Sequence, residues 1–273
     1  MLSDQRQYEM TEWILREGKA YISEMAEHFA VSAETVRRDL NVICADGRIK
    51  KVHGGAVAVR PLMRDDSYEV RLEKRVREKR EIGKRAARLI EDNDVIALDS
   101  GTTAEALARE IYHVKNLCVV TASISVASIL SQKIQRGDFE GKVILLGGTV
   151  DPETHILRGG QTISMMKRYF IDKAFLGATS VSPAGIMMWN EDDGLFTATI
   201  LSQARSAYLL AESEKLGERS FYLVAPLDAA ELLITDNVYP ISADMQTAID
   251  AAGLVADIVT INGIVKKDGD TLS

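Results

Sequence analysis

Hydrophobic positions near the start of the chain recur every three or four residues, the spacing of short amphipathic helices. Three helices are predicted, and the third extends over Ser32–Ala45. Their apolar faces are formed by Met10, Trp13 and Ile14, by Ile22, Met25, Ala26 and Phe29, and by Val36, Leu40 and Ile43. Two short β-runs follow, Ile49–Val52 and Ala56–Val59, which His53-Gly54-Gly55 joins as a hairpin. Three helices and a hairpin predict a winged helix-turn-helix domain.

The third helix also has a polar face, opposite the apolar one. Its polar residues recur at i, i+3, i+4 and i+7, and Ser32 stands where an N-cap belongs. A helix that exposes an arginine pair and an asparagine suits the major groove of DNA, and basic residues on the hairpin suit phosphate oxygens. The alternative is an ordinary solvated helix face. The predicted DNA-binding residues are Ser32, Glu34, Thr35, Arg37, Arg38, Asn41, Lys50, Lys51 and His53.

Beyond residue 90 the pattern changes to short apolar runs that alternate with amphipathic stretches. The runs predicted as strands are 95–99, 117–121, 143–146, 173–177, 208–211, 221–224, 232–235 and 258–261. The stretches predicted as helices are 103–112, 124–135, 161–169, 196–206 and 245–252. Apolar strands separated by helices form a mostly parallel sheet that is covered on both faces. The larger part of the chain is therefore predicted to be an α/β domain.

The first strand of this domain runs into a turn rich in hydroxyl groups, Asp99-Ser100-Gly101-Thr102-Thr103. Ligands of parallel sheets bind where strands end and helices begin, and the free N–H groups of a helix start attract an anion. A phosphate group fits this chemistry. The alternative is simple N-capping by Thr102 or Thr103 without a ligand. The residues by themselves leave both interpretations open.

Two motifs of the N-terminal region resemble a known family. The run Val31–Leu40, followed at the family's spacing by Val52-His53-Gly54-Gly55-Ala56, resembles the DNA-binding domain of the DeoR family of bacterial transcriptional regulators. This resemblance implies double-stranded operator DNA as a partner. It also favours the DNA-binding interpretation of the arginine pair over that of a solvated helix face.

The C-terminal region resembles the effector domain of the same family, through motifs that occur in the family's order. These are Asp99–Thr103, Val120–Ser123, Leu145–Gly148, Asp172–Gly177 and Ile234–Asp236. That effector domain is similar in fold to ribose-5-phosphate isomerase and typically senses phosphorylated sugars. The effector-binding residues that the resemblance implies are Asp99, Ser100, Gly101, Thr102, Thr103, Ser123, Gly147, Gly148 and Lys215. Judged without the family, Gly147-Gly148 is equally well a plain turn, and Lys215 equally well a surface lysine.

Net charge is −7, which at first argues against a nucleic-acid partner. The distribution changes this picture, because residues 1–60 carry nine basic and nine acidic side chains, whereas residues 91–273 carry 14 and 25. The acidity thus lies in the part that need not contact DNA. A neutral DNA-binding domain indicates modest non-specific affinity and reliance on dimerisation. Residues 61–90 carry ten basic and six acidic side chains. The first part of this segment is interpreted as a solvated linker and helix face, and a contact with DNA is the alternative.

The remaining composition is that of a globular protein, with 46% hydrophobic and 27% charged residues. No apolar run approaches the roughly 20 residues of a membrane span, and no signal peptide opens the chain. Cys44 and Cys118 lie in apolar stretches, which predicts core packing rather than a disulfide or metal site. There is no phosphate-loop, dinucleotide-binding or zinc-binding motif. We expect a cytoplasmic protein with no cofactor, no metal and no membrane partner.

These observations predict four segments along the chain. They are a winged helix-turn-helix domain over 1–60, a linker over 61–78, an effector-sensing and oligomerisation domain over 79–262, and a tail over 263–273. The predicted function is that of a homo-oligomeric repressor, dimer or tetramer, of a carbohydrate-catabolism operon. A phosphorylated sugar or related metabolite would control it.

The alternative function is that of a phosphosugar isomerase-like enzyme. An enzyme needs an acid or base positioned beside the phosphate site, and no catalytic motif supplies one. An enzyme also has no use for residues 1–60. The regulator is therefore preferred, and no catalytic residue is predicted.

Overall fold

The structure, a computed structural model, describes residues 3–46, 48–58 and 62–261. The chain divides into two compact units, Met1–Pro61 and Leu62–Ser273. The predicted tail 263–273 and the last hairpin residue, Val59, lie outside the described residues.

The small unit combines helices with a three-stranded sheet. Its elements are α1 (Ser3–Glu17), β1 (Lys19–Tyr21), α2 (Ile22–His28), α3 (Ala33–Ile43), β2 (Ile49–Val52) and β3 (Gly55–Ala58). The sheet is antiparallel in the order β1-β3-β2, so the predicted hairpin is confirmed. Strand β1 was not predicted, because a run of three residues is too short to show a periodic pattern.

One core holds the small unit together. The fully buried side chains of Met10, Ile14, Met25, Val36 and Leu40 come from all three helices, which confirms the predicted apolar faces. Each buried side chain of this size contributes about 1.5–3 kcal/mol to stability. The helices are thus fixed mainly by the burial of one face each.

The large unit is an α/β domain. Its helices are α4 (Tyr68–Glu73), α5 (Val76–Ala87), α6 (Thr102–Glu110), α7 (Ile124–Arg136), α8 (Gly160–Met166), α9 (Glu191–Gln203) and α10 (Ala243–Ala252). Its strands are β4 (Val95–Leu98), β5 (Leu117–Thr121), β6 (Gly141–Leu145), β7 (Thr149–Asp151), β8 (Ile156–Arg158), β9 (Ile171–Leu176), β10 (Ser180–Ser182), β11 (Gly185–Met188), β12 (Ala204–Leu210), β13 (Tyr222–Ala225), β14 (Leu232–Asp236) and β15 (Val255–Val259).

Seven of these strands form one parallel sheet in the order β15-β14-β12-β9-β4-β5-β6. The predicted α/β fold with a parallel sheet is confirmed. The predicted strand at 221–224 corresponds to β13, which pairs instead with β11 in a small antiparallel sheet. An apolar run alone does not tell which sheet a strand joins. The pairs β7-β8 and β10-β11 were not predicted, because their strands have three or four residues.

The apolar residues of the sheet alternate between two cores, one on each face. Ala174 and Leu176 belong to one buried cluster, while Phe175 between them belongs to the other. Strands β4, β5 and β6 extend the sheet in one direction and β9, β12, β14 and β15 in the other. Such a reversal leaves a crevice between the carboxyl ends of β4 and β9, where open α/β sheets bind ligands.

Residues 61–78, predicted as a solvated linker, have a different structure where they are described. They contain α4 and the start of α5, and the Tyr68 side chain is buried. The Tyr68 hydroxyl donates to Glu105 Oε1 on α6 at 2.5 Å. We call residues 62–75 the strap. Because charged residues surround Tyr68 in the sequence, its burial was not predicted.

Candidate functional site

The nine residues predicted to bind DNA lie on the surface of the small unit, on α3 and on the β2-β3 hairpin. Ser32 caps α3 as predicted, since its side chain accepts a hydrogen bond from the Thr35 N–H at 3.1 Å. The exposed members of the set are Ser32, Glu34, Arg37, Arg38, Asn41, Lys50, Lys51 and His53, and Thr35 is half-buried. All but one of the nine predicted side chains are therefore accessible to a partner.

Helix α3 and the hairpin are connected through their polar side chains. Lys51 Nζ donates to Asn41 Oδ1 at 2.9 Å, which places a hairpin cation beside the exposed face of α3. Arg37 lies 3.3 Å from Glu34 in an exposed ion pair, which is weak in water. The Arg37 guanidinium is therefore accessible to a nucleic-acid partner.

Asp39 is a buried neighbour of the predicted DNA-binding residues, and the sequence pattern did not show its burial. It lies inside the arginine-rich run but is only 3% exposed. Its carboxylate accepts hydrogen bonds from Arg6 Nε at 2.7 Å and from Gln7 Nε2 at 2.9 Å. Burial by itself would raise the pKa of Asp39, but these two donors outweigh it and lower the pKa. Asp39 thus fixes the orientation of α3 against α1, and with it the direction of the arginine pair.

In the large unit, the predicted anion-binding turn lies at the crevice between β4 and β9. Gly101 is the N-cap of α6, with φ of +99°, a value that favours glycine. Thr102 and Thr103 form the first turn of α6, and both are buried. The free N–H groups at this helix start therefore face the crevice side of the sheet.

The Asp99 side chain is buried, and groups of the protein itself hold its carboxylate. Its carboxylate accepts hydrogen bonds from Ser100 N at 2.8 Å, Thr197 Oγ1 at 2.9 Å and Gly177 N at 3.4 Å. Burial raises the pKa of Asp99 to about 6, against the lowering effect of these donors. Asp99 therefore joins the ends of β4 and β9 and shapes the turn.

Glu212, just after β12, forms the other wall of the crevice. Its Oε1 accepts from Thr103 Oγ1 at 3.1 Å, and its Oε2 lies 2.8 Å from Lys215 Nζ. Lys79 Nζ lies 3.9 Å from Oε1. Burial alone would raise the pKa of Glu212, but Lys215 and Lys79 outweigh it and lower the pKa to about 2. Glu212 is therefore an ionised, paired group at neutral pH.

A cavity of about 40 Å³ lies beside these groups. Thr102, Thr179 and Lys215 line it from the ends of the sheet strands, and the strap lines the opposite side. Six cationic and four carboxylate side chains border it. The cationic ones are Arg64, Arg71, Lys74, Arg75, Lys79 and Lys215. The lining thus has an excess of positive charge.

The structure brings some of the predicted effector residues to this cavity and places others elsewhere. Thr102 and Lys215 line it, and Asp99, Ser100, Gly101 and Thr103 surround Thr102 in the chain. Ser123, Gly147 and Gly148 do not line it.

These three residues have structural contacts of their own. Ser123 caps α7 by accepting from Val126 N at 3.2 Å. The Gly147 carbonyl accepts from Thr162 Oγ1 at 2.8 Å. A Cβ on Gly148 would lie 2.1 Å from that same Thr162 hydroxyl oxygen, so the close approach requires glycine.

Of the thirteen residues that line the cavity, only Thr102 and Lys215 were predicted, and the eleven others include Arg71, Lys79 and Thr179. The excess of basic residues over 61–90 was the available signal, but the run was interpreted as solvated. Thr179 had a local signal of the same kind as Thr102, because Gly177-Ala178-Thr179-Ser180 follows β9 directly, but this turn was not interpreted as part of a site.

Comparison with known proteins gives two family matches, one in each unit. Residues 6–61 match the DeoR-like helix-turn-helix domain, and residues 74–237 match the DeoR C terminal sensor domain. Among the described residues, no helix has the length and apolar character needed to cross a membrane.

Individual relatives extend over most of the chain. The HTH-type transcriptional repressor GlcR of Bacillus subtilis is 34% identical over 87% of this chain and 90% of its own length. The lactose phosphotransferase system repressor of Streptococcus mutans is 33% identical over 86% of this chain and 93% of its own length. Ribose 5-phosphate isomerase A of Methanocaldococcus jannaschii covers 50% of this chain and 53% of its own, with 17% identity and a TM-score of 0.34.

Proposed function

The chain belongs to the DeoR family of transcriptional regulators, and on that premise we propose that it represses a carbohydrate-catabolism operon. In this proposal the small unit binds operator DNA in the cytoplasm. A phosphorylated sugar or related metabolite binds the large unit and changes DNA affinity. A coupling free energy on the order of 1–3 kcal/mol between the two sites suffices for such control.

The DNA-binding part of the proposal rests on the exposed face of α3. Arg37, Arg38 and Asn41 have the donors that read base edges in a major groove, and their side chains are exposed. Lys51 beside Asn41 and the exposed His53 supply contacts to phosphate oxygens. Helix-turn-helix proteins bind two half-sites as dimers, so we extend the proposal to a homo-oligomer.

Replacing Lys51 with alanine is expected to weaken binding to all DNA sequences alike. A phosphate contact carries no sequence information, and its loss lowers the slope of log K against log salt by about one unit. Band shifts with a selected site and with random DNA, over a salt series, measure both quantities. A matched control is Lys115→Ala in the large unit. A loss confined to one sequence would contradict the assignment of Lys51 to the backbone.

The effector part of the proposal rests on one observation. The cavity at the sheet's topological reversal is bordered by more cations than carboxylates, directly beside the N-terminus of α6. A phosphate monoester carries a charge of about −1.5 to −2 at neutral pH and accepts several hydrogen bonds. The Thr102 hydroxyl, the helix N–H groups and Lys215 match these acceptors.

Replacing Thr102 with alanine is expected to weaken phosphate binding about tenfold, the effect of losing one hydrogen bond to a charged group. Thermal shift with pentose and hexose phosphates, each beside its unphosphorylated sugar, measures the response. Thr199→Ala is a matched control, because Thr199 is equally buried and bonds only the Leu195 carbonyl. Operator binding without a ligand should stay unchanged. If an effector binds the Thr102→Ala variant as well as the wild type, and binds equally well without its phosphate group, the assignment of the anion site is wrong.

A binding role rather than catalysis is proposed for this cavity because its carboxylates are already paired. Glu212 contacts Lys215, Glu214 lies 2.8 Å from Arg75 Nη2, and Asp66 lies 2.5 Å from Lys74 Nζ. A general base works best with a pKa near the operating pH, whereas that of Glu212 is about 2. Turnover assays with ribose and fructose phosphates test this part directly.

A further inference from the structure

The strap closes the cavity through a small set of polar contacts. Thr179 Oγ1 donates to Asp65 Oδ2 at 2.9 Å, and Ser220 Oγ donates to the Met63 carbonyl at 2.7 Å. The buried Lys79 ammonium donates to the carbonyls of Arg71 and, at 2.8 Å, Lys74. The contact with Thr179 joins the strap to the carboxyl end of β9, beside the proposed anion site, while those with Ser220 and Lys79 join it to the segment before β13 and to α5.

Arg71 is the strap residue with incomplete hydrogen bonding. Its Nε lies out of solvent contact and has no hydrogen-bond partner. Its Nη1 lies 4.0 Å from Asp65 Oδ1, a distance that permits attraction but no hydrogen bond. A buried donor without a partner is unfavourable, by more for a charged group than for a neutral one.

The Arg71 guanidinium also lies at the predicted anion-binding turn. Its Nη1 would be 3.8 Å from a Cβ built on Gly101, the N-cap of α6. Planar guanidinium groups bind phosphate through two parallel N–H donors. Arg71 is thus placed to reach an anion that also contacts Thr102.

Charge indicates that the strap moves when an anion enters. Asp65 and Arg71 both line the cavity, and Asp65 Oδ1 lies 4.0 Å from Arg71 Nη1. An anion that reaches the Arg71 guanidinium is therefore repelled by the Asp65 carboxylate, which has the same sign of charge. The excess of two cations in the lining matches the charge of a phosphate monoester.

Resting on the proposed effector site, we propose that Arg71 binds the effector's anionic group and that Asp65 competes with that group from within the chain. When the anion binds, Asp65 loses its contacts with Thr179 and Arg71, and the anion contacts these two residues instead. The strap then shifts. Only three residues separate the strap from β3 of the small unit in sequence. The strap is therefore the described part of the large unit that lies nearest in sequence to the DNA-binding unit.

The test is a calorimetric titration of the full chain with inorganic phosphate at low salt. Asp65→Asn is expected to bind phosphate about tenfold tighter than the wild type, because the competing charge is gone. Arg71→Gln is expected to bind about tenfold weaker. The matched controls are Asp257→Asn and Arg85→Gln. Asp257 and Arg85 form an ion pair at 2.7 Å, and their side chains are 27% and 32% exposed. These values resemble the exposures of Asp65 and Arg71, which are 29% and 23%.

The possible outcomes distinguish the assignment of the strap from the assignment of the anion site. If Thr102→Ala weakens phosphate binding but either strap variant binds as the wild type does, the strap assignment is wrong and the anion site stands. If no variant binds phosphate, or if binding is indifferent to Thr102, both assignments are wrong. Amide exchange in the wild type is a second measurement, and phosphate is expected to speed exchange over residues 62–67. Unchanged exchange there would also overturn the strap assignment.

Discussion

Replacing Arg37 and Arg38 together with alanine is expected to abolish specific operator binding while the small unit stays folded. Each arginine that reads a base contributes about 1–3 kcal/mol, so the pair is expected to cost about 4 kcal/mol, or roughly a thousandfold in affinity. Both side chains are exposed, and alanine is the best helix former, so α3 itself is preserved. Band shifts with a site selected by the wild-type chain from random DNA measure the loss.

The control for this double variant is Arg136→Ala with Arg168→Ala, two exposed arginines of the large unit. Circular dichroism and thermal melting establish that the small unit is folded, since the adjacent Val36 and Leu40 belong to its core. Operator affinity equal to that of the wild type would refute the assignment of α3 as the recognition helix. If the double variant loses affinity equally for specific and for random DNA, the two arginines contact phosphates rather than bases.

The free energy of unfolding of the wild type is expected to fall by about 2 kcal/mol, relative to Asp99→Asn, between pH 4 and pH 7. The pKa of Asp99 is raised from 3.8 to about 6 by burial. Between these values the folded chain holds a proton that the unfolded chain has released, so raising the pH favours unfolding. Above about pH 7 both states are ionised and the difference stops changing.

Urea denaturation of both chains at several pH values measures this difference. The comparison with Asp99→Asn isolates one carboxyl, because Glu212 acts in the opposite sense. The pKa of Glu212 is lowered to about 2, so its stabilising effect is present at neutral pH and disappears only as the pH falls toward 2. Parallel curves for the two chains from pH 4 to pH 7 would show that Asp99 is not buried as described.

The small unit was largely predictable because its signals are local. Helices α1, α2 and α3 each have an apolar face with a clear period, and Ser32 is a recognisable cap. Strand β1 was missed because it exists only through its pairing with β3. Asp39 was missed because a carboxylate among arginines has the same pattern whether it is exposed or buried.

In the large unit, the class of the fold was predictable and the membership of each strand was not. Seven of the eight predicted strands join the parallel sheet, and only 221–224 belongs to another sheet. The turn at Thr102 was predicted as a binding site because ligand sites of such sheets follow strand ends, and that role stays a prediction. The strap was not found, because its contact between Asp65 and Thr179 joins residues 114 positions apart.

The sequence by itself determined the two units, their classes of fold and the position of the turn that follows β4. These features follow from hydrophobic period, helix caps and glycine placement, all of which act within a few residues. Only the tertiary structure decided which charges are buried and with which partners. Asp39, Asp99 and Glu212 are buried and ion-paired or hydrogen-bonded, while Arg37 and Arg38 are exposed. The physical reason is that a charged group can be buried only where it has hydrogen-bond donors or an opposite charge as partners. Those partners come from distant parts of the chain, so no local sequence pattern shows which charged group will be buried.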